Sequence, residues 1–214
     1  MIEKLKTFGK DLKYAFHVST HPVDGFWDLK HEKRGRVYIA IFLLVMYVIT
    51  SILDKQFDGY TFNTFAVFPE KINVLGTFGA TFLIIVIWTL SNWGLTTLFD
   101  GEGSMKDILI YTGYSVLPLV LSQIVLLLLT NILTTNEATI VSLVTYIGYG
   151  WTAMLIYMGT MTTHQYSGGK TFLTLLVILL GMAVIVFLGA MFFFLVQEIF
   201  NFVYTIYREL ELRR

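Results

Sequence analysis

The chain has 214 residues, 56% of them hydrophobic and only 14% charged, and it contains no cysteine. Soluble domains carry about 25% charged residues, and in water so apolar a surface would aggregate; thiolate chemistry and disulfides are excluded. Formal net charge is zero, so the chain as a whole has no electrostatic drive toward nucleic acid. With a mean hydropathy of +0.69, this is the composition of an all-α, polytopic membrane protein whose first partner is the lipid bilayer.

Residues 1–36 read as a cytoplasmic, interfacial segment. Ile2, Leu5, Phe8, Leu12 and Phe16 recur at helical spacing, with Lys4, Lys6, Lys10, Asp11 and Lys13 on the polar side. Such an amphipathic helix lies in the headgroup layer, drawn by anionic lipid, or packs on the ends of the spans; the two are compatible. Next, His21-Pro22-Val23-Asp24-Gly25 suits a turn, and Phe26 and Trp27 suit an interfacial anchor. His17, His21 and His31 come without a compact ligand set, so no metal site is assigned.

Crossing ~30 Å of hydrocarbon takes roughly 20 apolar residues. Five runs meet that length within a transmembrane region, 37–204: Val37–Leu53, Val74–Phe99, Ile108–Leu133, Ile140–Thr163 and Phe172–Val196, the last continuing apolar. A charged tail, 205–214, follows. The first loop, Asp54–Asn73, is rich in aromatics (Phe57, Tyr60, Phe62, Phe65, Phe68) that fit the outer interface or a fold over the bundle. Eight Lys and Arg residues precede Val37. Basic loops stay inside, so the expected topology is N-terminus cytoplasmic and C-terminus outside.

Between the second and third spans lies Asp100-Gly101-Glu102-Gly103-Ser104-Met105-Lys106-Asp107. Ser104 with Asp107 three residues on is a capping box for the third span, and the glycines permit the turn. That leaves Asp100 and Glu102 as candidates for binding a cation or a partner's basic side chain. Pro118, inside the third span, removes a backbone donor and should kink it.

No span has a central charge, which lowers the case for an ion-coupled transporter. Asn92, Ser122, Gln123, Asn131, Thr145 and Thr152 are milder; they bridge helices by hydrogen bonds or, if Asn92, Gln123 and Asn131 share a face, line a groove. Gly76 with Ala80, and Gly148, Gly150, Gly181 and Gly189, suit close helix crossings. The fifth run, if helical from Phe172 to Leu210, is about 58 Å long and overruns the bilayer. No catalytic motif is present; a membrane enzyme would have to draw on Asp100, Glu102, His164 and the N-terminal acids across separate loops.

The chain resembles the Yip family of Ypt/Rab-interacting membrane proteins, most closely its short prokaryotic-type members. The resemblance is carried by His21-Pro-x-Asp-Gly-Phe26, by Asp100-Gly-Glu-Gly-Ser104 and by Gly113-Tyr114-Ser115-Val116-Leu117-Pro118, similar to the family's Gly-Tyr-x-x-x-Pro signature. It implies a five-span bundle with no enzymatic site and no cofactor, in which Tyr114 and Pro118 join Asp100, Glu102, Asn92 and Gln123 as candidate binding positions. The Asp-Leu-Tyr-Gly-Pro motif of the eukaryotic relatives does not occur, so small-GTPase binding is not implied. The leading expectation is a membrane adaptor or assembly factor that binds other membrane proteins, with a homo-oligomer formed through the long fifth helix. The competing one is a transporter-like or lipid-translocating protein, or an accessory subunit of a transporter; the home that the resemblance implies is a bacterial plasma membrane.

Overall fold

A computed structural model describes residues 2–57 and 73–212. Tyr60, Phe62, Phe65 and Phe68 of the aromatic first loop lie outside the described residues, as do Arg213 and Arg214. Among the described residues the fold is all-helical: α1 (Ile2–Thr20), α2 (Pro22–His31), α3 (Val37–Phe57), α4 (Val74–Leu98), α5 (Met105–Ser115), α6 (Leu117–Leu129), α7 (Ala138–His164) and α8 (Gly168–Leu212). Five stretches are long and apolar enough to cross a membrane, α5 and α6 together making the third.

That third span is the centre. Two thirds of its apolar window, 67%, is buried, against 6% for the fifth span, so the other helices wrap it and α8 runs along the outside. Tyr111 and Tyr114 are among its fully buried side chains. The expected kink is present: α5 ends at Ser115, and Pro118 sits in the first turn of α6, where its missing N–H leaves no gap in the ladder. The span starts at Met105, earlier than its apolar residues suggest, because Ser104 caps it.

Residue pairs fix the directions. Gly113 abuts Ala40, and Thr50 bonds Gln123, so α3 runs parallel to α5–α6. Tyr111 meets Gly159, and Gly148 meets Ser122, so α7 runs antiparallel to them. The Trp88 indole donates to Thr112 at 3.0 Å and Ser91 to the Ile178 carbonyl at 2.9 Å, which sets α4 antiparallel to both α5 and α8. The close crossings need small residues: a Cβ on Gly113 would lie 2.6 Å from Ala40 Cα. Gly150 and Gly189, expected at crossings, face open space instead.

α1 and α2 form an antiparallel hairpin wedged against the spans. Ala15 and Val18 are fully buried, while Lys6, Lys10 and Lys13 remain exposed. Phe8 packs edge-on to Phe42, and the Tyr38 hydroxyl donates to Asp11. At the bend, the Trp151 indole donates to the Ser19 carbonyl at 3.0 Å. Trp151 lies thirteen residues from the end of α7, so the bend reaches about 20 Å into the bundle.

The turn expected at Asp24-Gly25 is helix. Pro22 takes the first position of α2, where its fixed φ suits a helix start. Gly25 serves the helix crossing, since a Cβ there would lie 2.8 Å from Val18 Cα. Phe26, read as an interfacial anchor, is 1% exposed and meets the Tyr111 ring edge-on. Trp27 stays at the surface, stacked on His31.

α8 has 45 residues and measures about 68 Å, longer than the 58 Å expected. It begins four residues earlier and ends two later than the Phe172–Leu210 reading, and Gln197, Glu198, Asn201 and Thr205 interrupt its apolar series without breaking the helix.

Candidate functional site

The α4–α5 turn, the α7–α8 turn and the end of α2 meet at one end of the bundle. α4 stops at Leu98, and the Gly101 N–H reaches back to the Thr96 carbonyl at 2.8 Å. This closure puts one residue in the left-handed region, and here that residue is Asp100, with φ 56°. The glycines on either side of Glu102 have ordinary negative φ, so conformational freedom is not what requires them.

Space requires them instead. A Cβ on Gly101 would lie 2.6 Å from both His164 Nδ1 and the Tyr166 hydroxyl. One on Gly103 would lie 2.5 Å from His164 Cε1. The turn therefore lies directly on the His164 ring, which is 1% exposed. The Gly103 N–H donates to His164 Nδ1 at 3.2 Å, which leaves the ring proton on Nε2. That buried nitrogen has no partner among the described residues.

Further clamps hold the turn. The Tyr166 hydroxyl lies 3.1 Å from the Thr96 and Phe99 carbonyls. Burial, with the Asp100 carboxylate nearby, pushes the Tyr166 phenol above its ordinary pKa and keeps it a neutral donor. Lys170 donates to the Phe99 carbonyl at 2.8 Å, and its ammonium lies 4.2 Å from the centre of the Tyr166 ring. From α2, Lys30 donates to the Thr163 carbonyl at 2.7 Å and pairs with Glu102 at 3.3 Å. Ser104 and Asp107 form the expected capping box.

The outcome is a rigid platform that turns two carboxylates outward. The Glu102 side chain is 60% exposed even while paired, and Asp100 is exposed and has no ion pair among the described residues. A cavity under the platform, lined by Lys30, Asp107, Tyr111 and Thr163, measures about 10 Å³, space for a single water.

The other candidate positions are buried and lie apart from this platform. The Tyr114 hydroxyl accepts the Arg36 N–H at 3.4 Å, serving a free donor at the start of α3. Gly113, Tyr114 and Pro118 thus place a helix crossing, a helix start and a kink within one turn and a half. The Asn92 amide donates to the Tyr111 hydroxyl at 2.6 Å, with Thr160 a further 3.1 Å from that hydroxyl. Gln123 bonds Thr50 at 2.6 Å and Ser51 at 3.0 Å. Asn131 donates to the Phe57 carbonyl at 2.9 Å. Gln123 and Asn131 both bond α3, eight positions apart, whereas Asn92 bonds α5, so the three do not share one face.

His164 does join Asp100 and Glu102, as a distant-loop site would require, but beneath the turn and already bonded. Of the N-terminal acids, Asp28 is engaged elsewhere, accepting from Tyr14 and lying 3.5 Å from Arg34, while Asp24 lines a cavity of about 520 Å³ with Gln165 and Tyr166 beside the turn. Among the described residues no three His or carboxylate groups could share a metal. Lys30, Tyr166 and Lys170 were not legible as parts of the site, since each bonds residues far away in sequence.

A family model described as the Yip1 domain matches residues 16–200. No curated protein and no solved structure matches the chain.

Proposed function

The chain belongs to the Yip1 domain family, and from that premise we propose that it is a non-enzymatic membrane adaptor or assembly factor. Its working surface is the Asp100–Glu102 platform, and its partners are membrane proteins with basic segments close to the bilayer. One observation carries this reading: the turn is fixed from below by His164, Tyr166 and Lys170, yet Asp100 is exposed and Glu102 stays 60% exposed while paired with Lys30. A pre-ordered charged surface loses little entropy on binding. The cavity directly beneath it has room for a single water, which favours recognition at the surface over binding beneath the turn.

In this reading the platform faces the cytoplasm of a bacterial cell, on the side of the eight basic residues that precede Val37. The test is chemical cross-linking in native membranes, comparing the wild type with Asp100→Asn/Glu102→Gln. Partners held by the wild type and released by the double variant are expected. An identical set of partners would overturn the platform as the binding surface. Movement of solute or lipid across liposomes by the purified protein alone would overturn the adaptor.

A further inference from the structure

α3 and α4 stand apart along the bundle, and the space between them is an apolar groove. Its larger part, about 820 Å³, is lined by α3 residues such as Leu44 and Val45, by Phe82 and Val86 of α4, and by Leu109 of α5. A second part, about 340 Å³, shares Val45, Val48 and Phe78 with the first and continues to Val74 and Ile52. From Val74 to Leu90 the groove runs about 24 Å, against about 15 Å for one leaflet of hydrocarbon.

The chemistry of the lining is uneven. Thr89 supplies a hydroxyl, and that hydroxyl already bonds the Ile85 carbonyl at 2.8 Å. The groove therefore offers nothing to a polar ligand along its length. At one end stands Lys106, the single charged residue lining it among the described residues. The carboxylate next in sequence, Asp107, is turned away into the capping box with Ser104. Among the described residues Lys106 has no ion pair, the pairs present being those of Lys30 and Arg34. An uncommitted ammonium at the mouth of a hydrocarbon-lined channel calls for a ligand with an anion at one end and a chain behind it.

We infer that the α3–α4 groove holds an anionic phospholipid of the surrounding bilayer, one acyl chain lying between the helices and the phosphate on Lys106. This goes beyond the adaptor reading and does not use the Asp100–Glu102 carboxylates. Ordinary boundary lipid also touches the protein, and the exposed face of α8 at Phe192–Leu195 reports on it. The two are separable by what Lys106 does.

The experiment uses the full chain in vesicles of phosphatidylcholine and phosphatidylglycerol, with a trace of phosphatidylglycerol bearing a photoreactive acyl chain. Adducts are located by peptide mass spectrometry. Labelling at Val45 and Phe82 should fall about fivefold in Lys106→Ala, the worth of one basic residue at an anionic surface. Lys106→Arg should restore it, and Val45→Trp, which fills the groove, should lower it with Lys106 intact. Labelling of the α8 face should stay unchanged in all three. Equal change at both places, no response to Lys106→Ala, or no adduct in the groove because a second copy or another span occupies it, would each overturn the inference.

Discussion

Gly103→Ala tests whether the α4–α5 turn is held by contact with His164. The new Cβ would sit 2.5 Å from His164 Cε1 and 3.0 Å from Nδ1, where ordinary contact begins at 3.4 Å. The ring is 1% exposed and packs beside Tyr166, so it has no open side to move toward. Overpacking of this kind costs about 1–3 kcal/mol. Pushing the turn away also breaks the Gly103–His164 hydrogen bond, a further 0.5–1.5 kcal/mol or so. The expected loss is thus roughly 2–4 kcal/mol. It should be read as a lowered melting midpoint of purified protein in mild detergent, followed by tryptophan fluorescence. His164→Ala destabilises on its own by opening a cavity, but in its background Gly103→Ala should cost less, because the two ring contacts are gone and only Thr163 Cγ2, 2.9 Å from the new Cβ, remains close. A coupling of about 2 kcal/mol across the double-mutant cycle is expected. Unchanged melting in Gly103→Ala, or strictly additive losses, would refute the contact as the reason for the glycine.

Gly113→Ala should be harsher, at least about 3 kcal/mol, because its Cβ meets Ala40 backbone that no side-chain rotation can clear; loss of folded protein in membranes is the readout. Asn92→Leu and Gln123→Leu should each cost about 1 kcal/mol in detergent melting and should add, since they share no partner. Tyr14, half-covered and donating to Asp28 at 2.8 Å, has its phenol pushed up from 10.0 to about 12, chiefly by burial and then by that carboxylate. The folded state holds the proton more tightly than the unfolded one, so the contribution is complete below pH 10 and lost as pH rises toward 12. Phenolate absorbance, compared with Tyr14→Phe, should show one tyrosine ionising in that window.

Much of the fold was legible because its signals are local. Span length, the Ser104–Asp107 box and the Pro118 interruption each lie within a few residues and need no knowledge of neighbours. What was misread depends on contacts far along the chain. Gly101 and Gly103 look like turn glycines, yet the left-handed residue is Asp100, and the glycines answer to a ring some sixty positions later. Asp24-Gly25 carries the composition of a turn, but Pro22 starts a helix and Gly25 lets it cross α1. The exposed carboxylates of the turn, Asp100 and Glu102, were visible as unexplained charge. Its supports were not, because Lys30, Tyr166 and Lys170 have no pattern of their own in sequence.

The α1–α2 hairpin has a consequence for how the protein is made. Its residues leave the ribosome before the spans do, yet the surfaces that receive it are on α5 and on α7, with Trp151 binding Ser19 from 132 positions downstream. Until that helix has been threaded into the bilayer, the buried faces of Ala15, Val18 and Phe26 have no seat. The hairpin must wait at the membrane surface, its lysines toward water, while the spans from α3 through α7 are inserted past it. Docking it is then a closing step, which makes the amino terminus a latch on a finished bundle rather than its foundation.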